Sequence, residues 1–359
     1  MPIRFRRSMK LGPGFRFNLA KKSAGLSFGT RGMRYSLNSG GRSWRSMGIP
    51  GTGLSHVSVG SVGGGKGRGK GGGRSGSRRA TDEETPPQIT EDEAGKIIPG
   101  AGFFSSGAER SYRDGVVAFV CGELEKAEEA FAKAAEEDRN SSADLFHALC
   151  LVQLSRTGEA IAPLERLLES EVELPDKWLE KYGEPLTLSL RVSIAPGVAV
   201  EAPFDETGAA LMLAQLYQSA GRVEEGIDLL EGLGEAGVEE HVMGLALADL
   251  HVEREEWDEV LDLSEDIQNE DDATAALLAY RGRALLEKGI TSGALDVLRT
   301  ALKSRARSQE ILAEARYLRG RAYEELGQLK RALNDYERTL GQDHNHEGAK
   351  AGFERLNEG

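Results

Sequence analysis

The sequence predicts a multidomain α+β chain: a small antiparallel β meander, a disordered glycine-rich basic linker, then an α-solenoid of helix pairs with an inserted β-hairpin. Three observations predict it. Charge is split along the chain, hydrophobic periodicity changes from two to helical, and small residues recur at fixed spacing. The 359 residues hold 45 Lys+Arg against 58 Asp+Glu, a net charge of -13. All residues before Asp82 lack acids and hold 17 Lys+Arg, so that stretch carries +17 and the rest (28 basic, 58 acidic) carries -30. A single-domain chain is excluded by that asymmetry.

The first body spans 1–58. Phe15, Phe17 and Leu19 alternate with polar residues, as do Met33, Tyr35 and Leu37, and Leu26 and Phe28 lie between. Gly12-Pro13-Gly14, Ser23-Ala24-Gly25, Thr30-Arg31-Gly32 and Asn38-Ser39-Gly40-Gly41 separate these runs as turns. About five or six short strands follow, with one apolar face that must pack on itself, dimerise or dock. Phe5-Arg-Arg, Lys10-Leu-Gly-Pro-Gly, Arg16-Phe-Asn-Leu, Gly25-Leu-Ser-Phe-Gly and Pro50-Gly-Thr-Gly-Leu-Ser55 resemble a bacterial domain of unknown function, number 4236. That resemblance implies a small β-rich module and no activity.

The second segment, 59–95, is the linker. Gly60 to Gly76 contains ten glycines with Lys66, Arg68, Lys70 and Arg74 between them. Such a stretch has nothing to bury. Gly60–Lys66 begins like a phosphate loop, but Gly67 stands where a Ser or Thr would hold magnesium. Contact of residues 1–80 with nucleic acid or an anionic surface is the alternative function. Contact of this basic stretch with the chain's own acidic solenoid competes with it.

The third body, 100–359, repeats. Six units align on a small residue in a first helix: Gly115, Ala148, Ala214, Ala248, Gly282 and Gly320. Twelve residues later stand Ala127, Ala160, Gly226, Val260, Ala294 and Ala332, and four further on Phe131, Leu164, Leu230, Ser264, Leu298 and Tyr336. Small residues let paired helices cross closely, and the third set fills the space between pairs. Gly122, Gly221, Gly289 and Gly327 mark four of the turns. The fourth unit fits least, with His251 and Ser264 at positions that should be apolar. This spacing resembles the tetratricopeptide repeat, most closely from Tyr317 to Tyr336. The resemblance implies an α-solenoid that binds a peptide or protein partner, stabilised by nearest-neighbour interfaces.

One step between units is doubled, and the residues inside it do not form a seventh repeat. Pro175, Pro185, Pro196 and Pro203 oppose helices. Leu186, Leu188, Leu190, Val192 and Ile194 alternate with polar residues, and Val198 and Val200 resume after Pro196-Gly197. We expect an inserted β-hairpin within 175–206, packed on neighbouring helices or paired edge to edge with another strand. Residues 347–359 are expected to form a capping helix.

Candidate chemistry is sparse. Cys121 and Cys150 read as buried packing residues in a reducing compartment. His344, His346, Asp343 and Glu347 have metal-ligand types, but no cysteine lies near them; we expect no metal, cofactor or catalytic site. With no apolar run long enough to span a membrane, the expected location is cytoplasmic. The family resemblance assigns the partner groove to first-helix positions. In this register those are Tyr112, Leu145, Leu245 and Tyr317, together with Val116, Leu149, Gln215, Asp249, Arg283 and Arg321. The expectation is a groove apolar toward the N-terminal units, with Arg283 and Arg321 gripping a carboxylate. Pairing of those arginines with Glu287, Glu324 or Glu325 is the competing reading. The expected function is a non-enzymatic adaptor.

Overall fold

A computed structural model gives the architecture. It describes the strand backbones within residues 6–61, and residues 90–139, 141–170, 172–183, 188–233 and 239–358. The chain divides into two compact units, Met1–Leu190 and Arg191–Gly359.

The first unit opens with six strands: β1 (Arg6–Gly12), β2 (Phe15–Ala20), β3 (Ser23–Phe28), β4 (Met33–Asn38), β5 (Arg42–Gly48) and β6 (Ser55–Ser61). Each pairs antiparallel with the next. The register sets Phe17 opposite Leu26 and Leu26 opposite Leu37, so the period-two residues fall in line across three strands. A register shift between Lys10 and Gly12 marks an irregularity in β1 beside the first turn.

Helix α1 (Glu91–Ile97) begins inside the segment read as linker to residue 95. Acidic residues in its first turn suit a helix start, and Ala94 and Ile98 are buried. Then come α2 (Gly107–Cys121), α3 (Leu124–Glu137), α4 (Ser141–Gln153) and α5 (Ile161–Leu168). The Ser106 hydroxyl caps α2 by accepting the Glu109 amide at 3.1 Å. Pro163 falls in the first turn of α5, where its missing N–H costs nothing. Between the pairs lies an aromatic core in which Phe131 and Phe146 stack at 4.7 Å and Tyr112 meets Trp178 at 5.3 Å.

The second unit carries most of the doubled step's hairpin, β7 (Ser189–Ala195) and β8 (Val198–Pro203), turning at Gly197 with φ +77°. The hairpin is shorter than the expected 175–206 insertion. Residues Leu179–Gly183 form a π-helical turn in the first unit instead, with Tyr182 buried. Asp176 makes that turn by accepting the amides of Trp178 and Leu179, both at 2.9 Å. The alternation itself holds within β7, where Leu190, Val192 and Ile194 are buried and Arg191 is exposed.

Four helix pairs follow: α6 (Glu206–Ser219) with α7 (Val223–Leu233), α8 (Glu240–Glu253) with α9 (Trp257–Leu263), α10 (Asp272–Glu287) with α11 (Thr291–Ala301), and α12 (Gln309–Glu325) with α13 (Leu329–Leu340). Helix α14 (Glu347–Glu358) follows α13. All six small-residue pairs fall where the spacing puts them, and every member is buried. So are all six gap fillers; burying a side chain such as Leu298 contributes roughly 2 kcal/mol. In the fourth unit polar residues are satisfied locally. The Ser264 hydroxyl donates to the Val260 carbonyl at 2.6 Å, and His251 Nδ1 meets Glu256 at 2.7 Å.

The backbone explains why four of the turns are legible in the sequence and two are not. Gly122, Gly221, Gly289 and Gly327 have φ of 81°, 73°, 72° and 70°. At the equivalent position the other two units place Ser155 (φ 61°) and Glu255 (φ 59°). The left-handed turn is therefore common to all six units, and in two of them it is held against side-chain sterics.

Candidate functional site

Among the described residues of the second unit, the first helices line a groove with a cavity of about 870 Å³. Helix α8 contributes Asp249 and Glu253, α10 contributes Tyr280 and Arg283, α12 contributes Glu310 and Glu314, and Asp343 and His346 come from the α13–α14 connection. Ala276, Ala279 and Ala313 form part of its lining, and their short side chains leave room for a ligand backbone.

Polar contacts order the groove wall. Asp249 accepts from Gln218 Nε2 at 2.9 Å and from the Tyr280 hydroxyl. Burial pushes the Asp249 carboxyl up, against the pull of those two donors, and the neighbouring Glu253 charge adds to the rise. Gln218 also reaches Glu253 at 3.0 Å. His346 Nε2 lies 3.1 Å from Glu314, its ring 4.5 Å from that of Tyr317. Arg283 lies over the Trp257 ring at 5.5 Å.

The structure sorts the residues named from sequence. Asp249 and Arg283 line the groove. Gln215 is half-buried beside a much smaller cavity shared with Leu211 and Leu250. Tyr317 is half-buried against His346. Tyr112 is wholly buried, its hydroxyl accepting from Ser142 Oγ at 2.9 Å, so it belongs to the aromatic core. Val116, Leu145, Leu149 and Leu245 are buried as well, so these apolar positions are core packing and not an open groove wall. The arginine pair is not a carboxylate clamp: Arg321 Nη1 donates to Glu287 at 2.8 Å, across adjacent repeats. With that charge offset, Arg283 faces the groove without it.

Sequence reasoning missed the acids. Glu253, Glu310 and Glu314 stand on two helices, and nothing short of the repeat register brings them together with Asp343. A second cluster was missed for the same reason. His241 lies 3.2 Å from Glu239 and 3.1 Å from Asp271, which belongs to the next repeat. These three could hold a divalent cation, although Asp271 already caps α10 by accepting the Thr274 amide at 2.9 Å. His344 instead contacts the Leu340 carbonyl. Cys121 and Cys150 are buried thiols outside any disulfide, and burial pushes the Cys150 thiol up. Expectations that rest on the glycine-rich stretch from 62 to 89 lie outside the described residues. No helix among the described residues is long and apolar enough to cross a membrane.

The paired helices, the small crossing residues and the six left-handed turns together decide the fold of the helical region. Residues 313–345 match the tetratricopeptide repeat. Residues 3–57 match a protein of unknown function (DUF4236). Solved structures are similar over much of the chain. The N-terminal domain of EccA1 ATPase from the ESX-1 secretion system of Mycobacterium tuberculosis is 15% identical with a TM-score of 0.50, covering 69% of this chain and 89% of that chain. YrrB, a tetratricopeptide repeat protein with an unusual peptide-binding site, is 18% identical with a TM-score of 0.39, covering 63% and 98%. A tetratricopeptide repeat protein from Parabacteroides merdae is 15% identical with a TM-score of 0.40, covering 75% and 91%. No curated protein matches the sequence. The fold is that of tetratricopeptide repeats, whose stacked first helices build the groove described above.

Proposed function

We propose that the chain is a non-enzymatic adaptor whose tetratricopeptide groove holds an extended, basic segment of a partner protein. The observation that carries this reading is the charge of the groove. Asp249, Glu253, Glu255, Glu310, Glu314 and Asp343 line it against Arg283 and His346. A cationic peptide is drawn to such a wall and an acidic one is repelled. This reverses the sign of partner that the two arginines suggested in sequence. Tyr280 and the alanine-lined surface supply apolar area beneath the partner's side-chain stems. The N-terminal β meander has, in this reading, a docking or oligomerising role.

Fluorescence anisotropy with labelled extended peptides tests the groove. A Lys/Arg-rich peptide should bind the full chain, more weakly as salt rises, while a Glu-rich peptide of equal length should not. Glu253→Lys with Glu310→Lys should weaken the basic peptide at least tenfold. Equal binding to wild type and variant would refute the groove assignment.

A further inference from the structure

A second cavity in the second unit, of about 570 Å³, is lined by Arg305, Arg316, Arg319, Arg338, Leu302 and Gln342, the last of which also lines the groove. Four arginines converge there in a chain whose acids outnumber its bases. Only Arg319 is neutralised, by a two-point pairing with the buried Asp335 at 2.7 and 2.8 Å. Among the described residues no carboxylate pairs with Arg305, Arg316 or Arg338. Elsewhere in the unit five arginines do have carboxylate partners: Arg222 with Glu225, Arg254 with Glu224 and Glu256, Arg299 with Asp296, Arg321 with Glu287 and Arg355 with Glu324.

The cluster is held together against its own repulsion. Arg316 donates to the Leu312 carbonyl at 3.3 Å and to the Gln342 side chain, which fixes it over the cavity. Burial lowers the Arg316 guanidinium pKa, and the charges of Arg319, Arg338 and Arg305 lower it further. Asp335 offsets part of this, but both its oxygens are taken by Arg319. The cavity therefore presents a group of like charges that a multiply charged anion would offset.

We propose that this cavity binds a phosphate dianion, free or as the phosphomonoester of a ligand. Three unpaired guanidiniums exceed what one carboxylate can neutralise. A tetrahedral dianion offers more acceptor oxygens and suits the forked donors of arginine. The cavity is larger than phosphate alone, so the body of the ligand fits beside the anion. Inorganic phosphate and a phosphorylated side chain share this chemistry.

Calorimetry on the full chain tests the site with three probes: inorganic phosphate, a phosphoserine peptide and the same peptide unphosphorylated. The basic N-terminal run is unchanged in every variant, so the difference between wild type and variant reports the cavity. Arg316→Gln with Arg338→Gln should weaken the phosphorylated probes at least tenfold, and Arg299→Gln, outside the cavity, should not. Tighter binding of the peptide than of phosphate would assign the group to a phosphorylated side chain, and the reverse order would assign it to the free anion. Thermal midpoints supply a second reading through the exposed Arg338→Gln alone. Phosphate should raise the wild-type midpoint more than that of this variant. Equal shifts and equal affinities in wild type and variants, or equal binding of the unphosphorylated peptide, would overturn the proposal.

Discussion

The ring of Tyr336 lies so close to Gly320 that a Cβ on the glycine would meet Tyr336 Cε1 at 2.6 Å. Gly282 stands in the same relation to Leu298, at 2.5 Å, and Gly115 to Phe131, at 2.9 Å. Tyr336 cannot retreat, because a Cβ on Gly352 of α14 would meet the opposite ring edge at 2.5 Å. Gly320→Ala gains up to about 1 kcal/mol of helix propensity and incurs overpacking of about 1–3 kcal/mol. The variant should be less stable by up to roughly 2 kcal/mol, read as a lower urea midpoint. A midpoint at or above wild type would show that the ring has room to shift.

The non-glycine turns give the opposite sign. Ser155 and Glu255 hold left-handed backbone that glycine adopts freely. That conformation costs an L-residue about 1–2 kcal/mol, less the extra chain entropy that glycine brings to the unfolded state. Ser155→Gly and Glu255→Gly should each stabilise by roughly 0.5 kcal/mol, and their effects should add, since they lie in different repeats. Thermal denaturation of the single and double variants checks both points.

These two cases show what the sequence discloses. Helix pairs, crossing points and four turns were legible because each depends on a single residue type at a fixed spacing, and Gly or Ala reports it directly. The turns at Ser155 and Glu255 were silent because the stacked repeats impose the conformation whatever the side chain. The groove was half legible. Register found Asp249 and Arg283, but the same register also selected Tyr112, which the aromatic core absorbs. The pairing of Arg321 with Glu287 and the gathering of Glu253, Glu310 and Glu314 depend on side chains meeting between elements, which spacing within one repeat does not encode.

Glu109 makes acid stability testable. The Lys181 ammonium donates to it at 2.7 Å and the Tyr182 hydroxyl at 2.9 Å. Lys181 is the chief cause that holds its carboxyl down at about 2, with the Ser105 and Tyr182 hydrogen bonds assisting against burial. The folded value lies below the ordinary 4.5, so the stabilisation is complete above about pH 4.5 and is lost as pH falls toward 2. Lys181 is 41% exposed, so solvent screening reduces the contribution to about 1 kcal/mol. Glu109→Gln should lower the thermal midpoint at pH 7, and the gap to wild type should close toward pH 2.

His346 has the reverse dependence. Its hydrogen bond to Glu314 raises its pKa above the usual 6.5, with the Glu314 and Asp343 charges adding to the rise and burial opposing it. The stabilisation is complete below pH 6.5 and is lost as pH rises through the raised value. The midpoint advantage of wild type over His346→Gln should be larger at pH 5.5 than at pH 8.5. An equal advantage at both would remove protonated His346 from the account.

The Glu324 carboxylate receives the Tyr336 hydroxyl at 2.7 Å and the Arg355 guanidinium at 2.8 and 2.9 Å. One side chain of α12 thus ties down both α13 and α14, and Tyr336 fills the space that α13 shares with Gly352. Repeat stacks ordinarily fray helix by helix from an open end. Here both helices share the Glu324 anchor, in addition to the Arg319–Asp335 pairing that holds α13 alone, so the opening of the two should be coupled. Removing the final twelve-residue helix should then speed amide exchange in α13, and unchanged exchange there would remove the Glu324 coupling from the account.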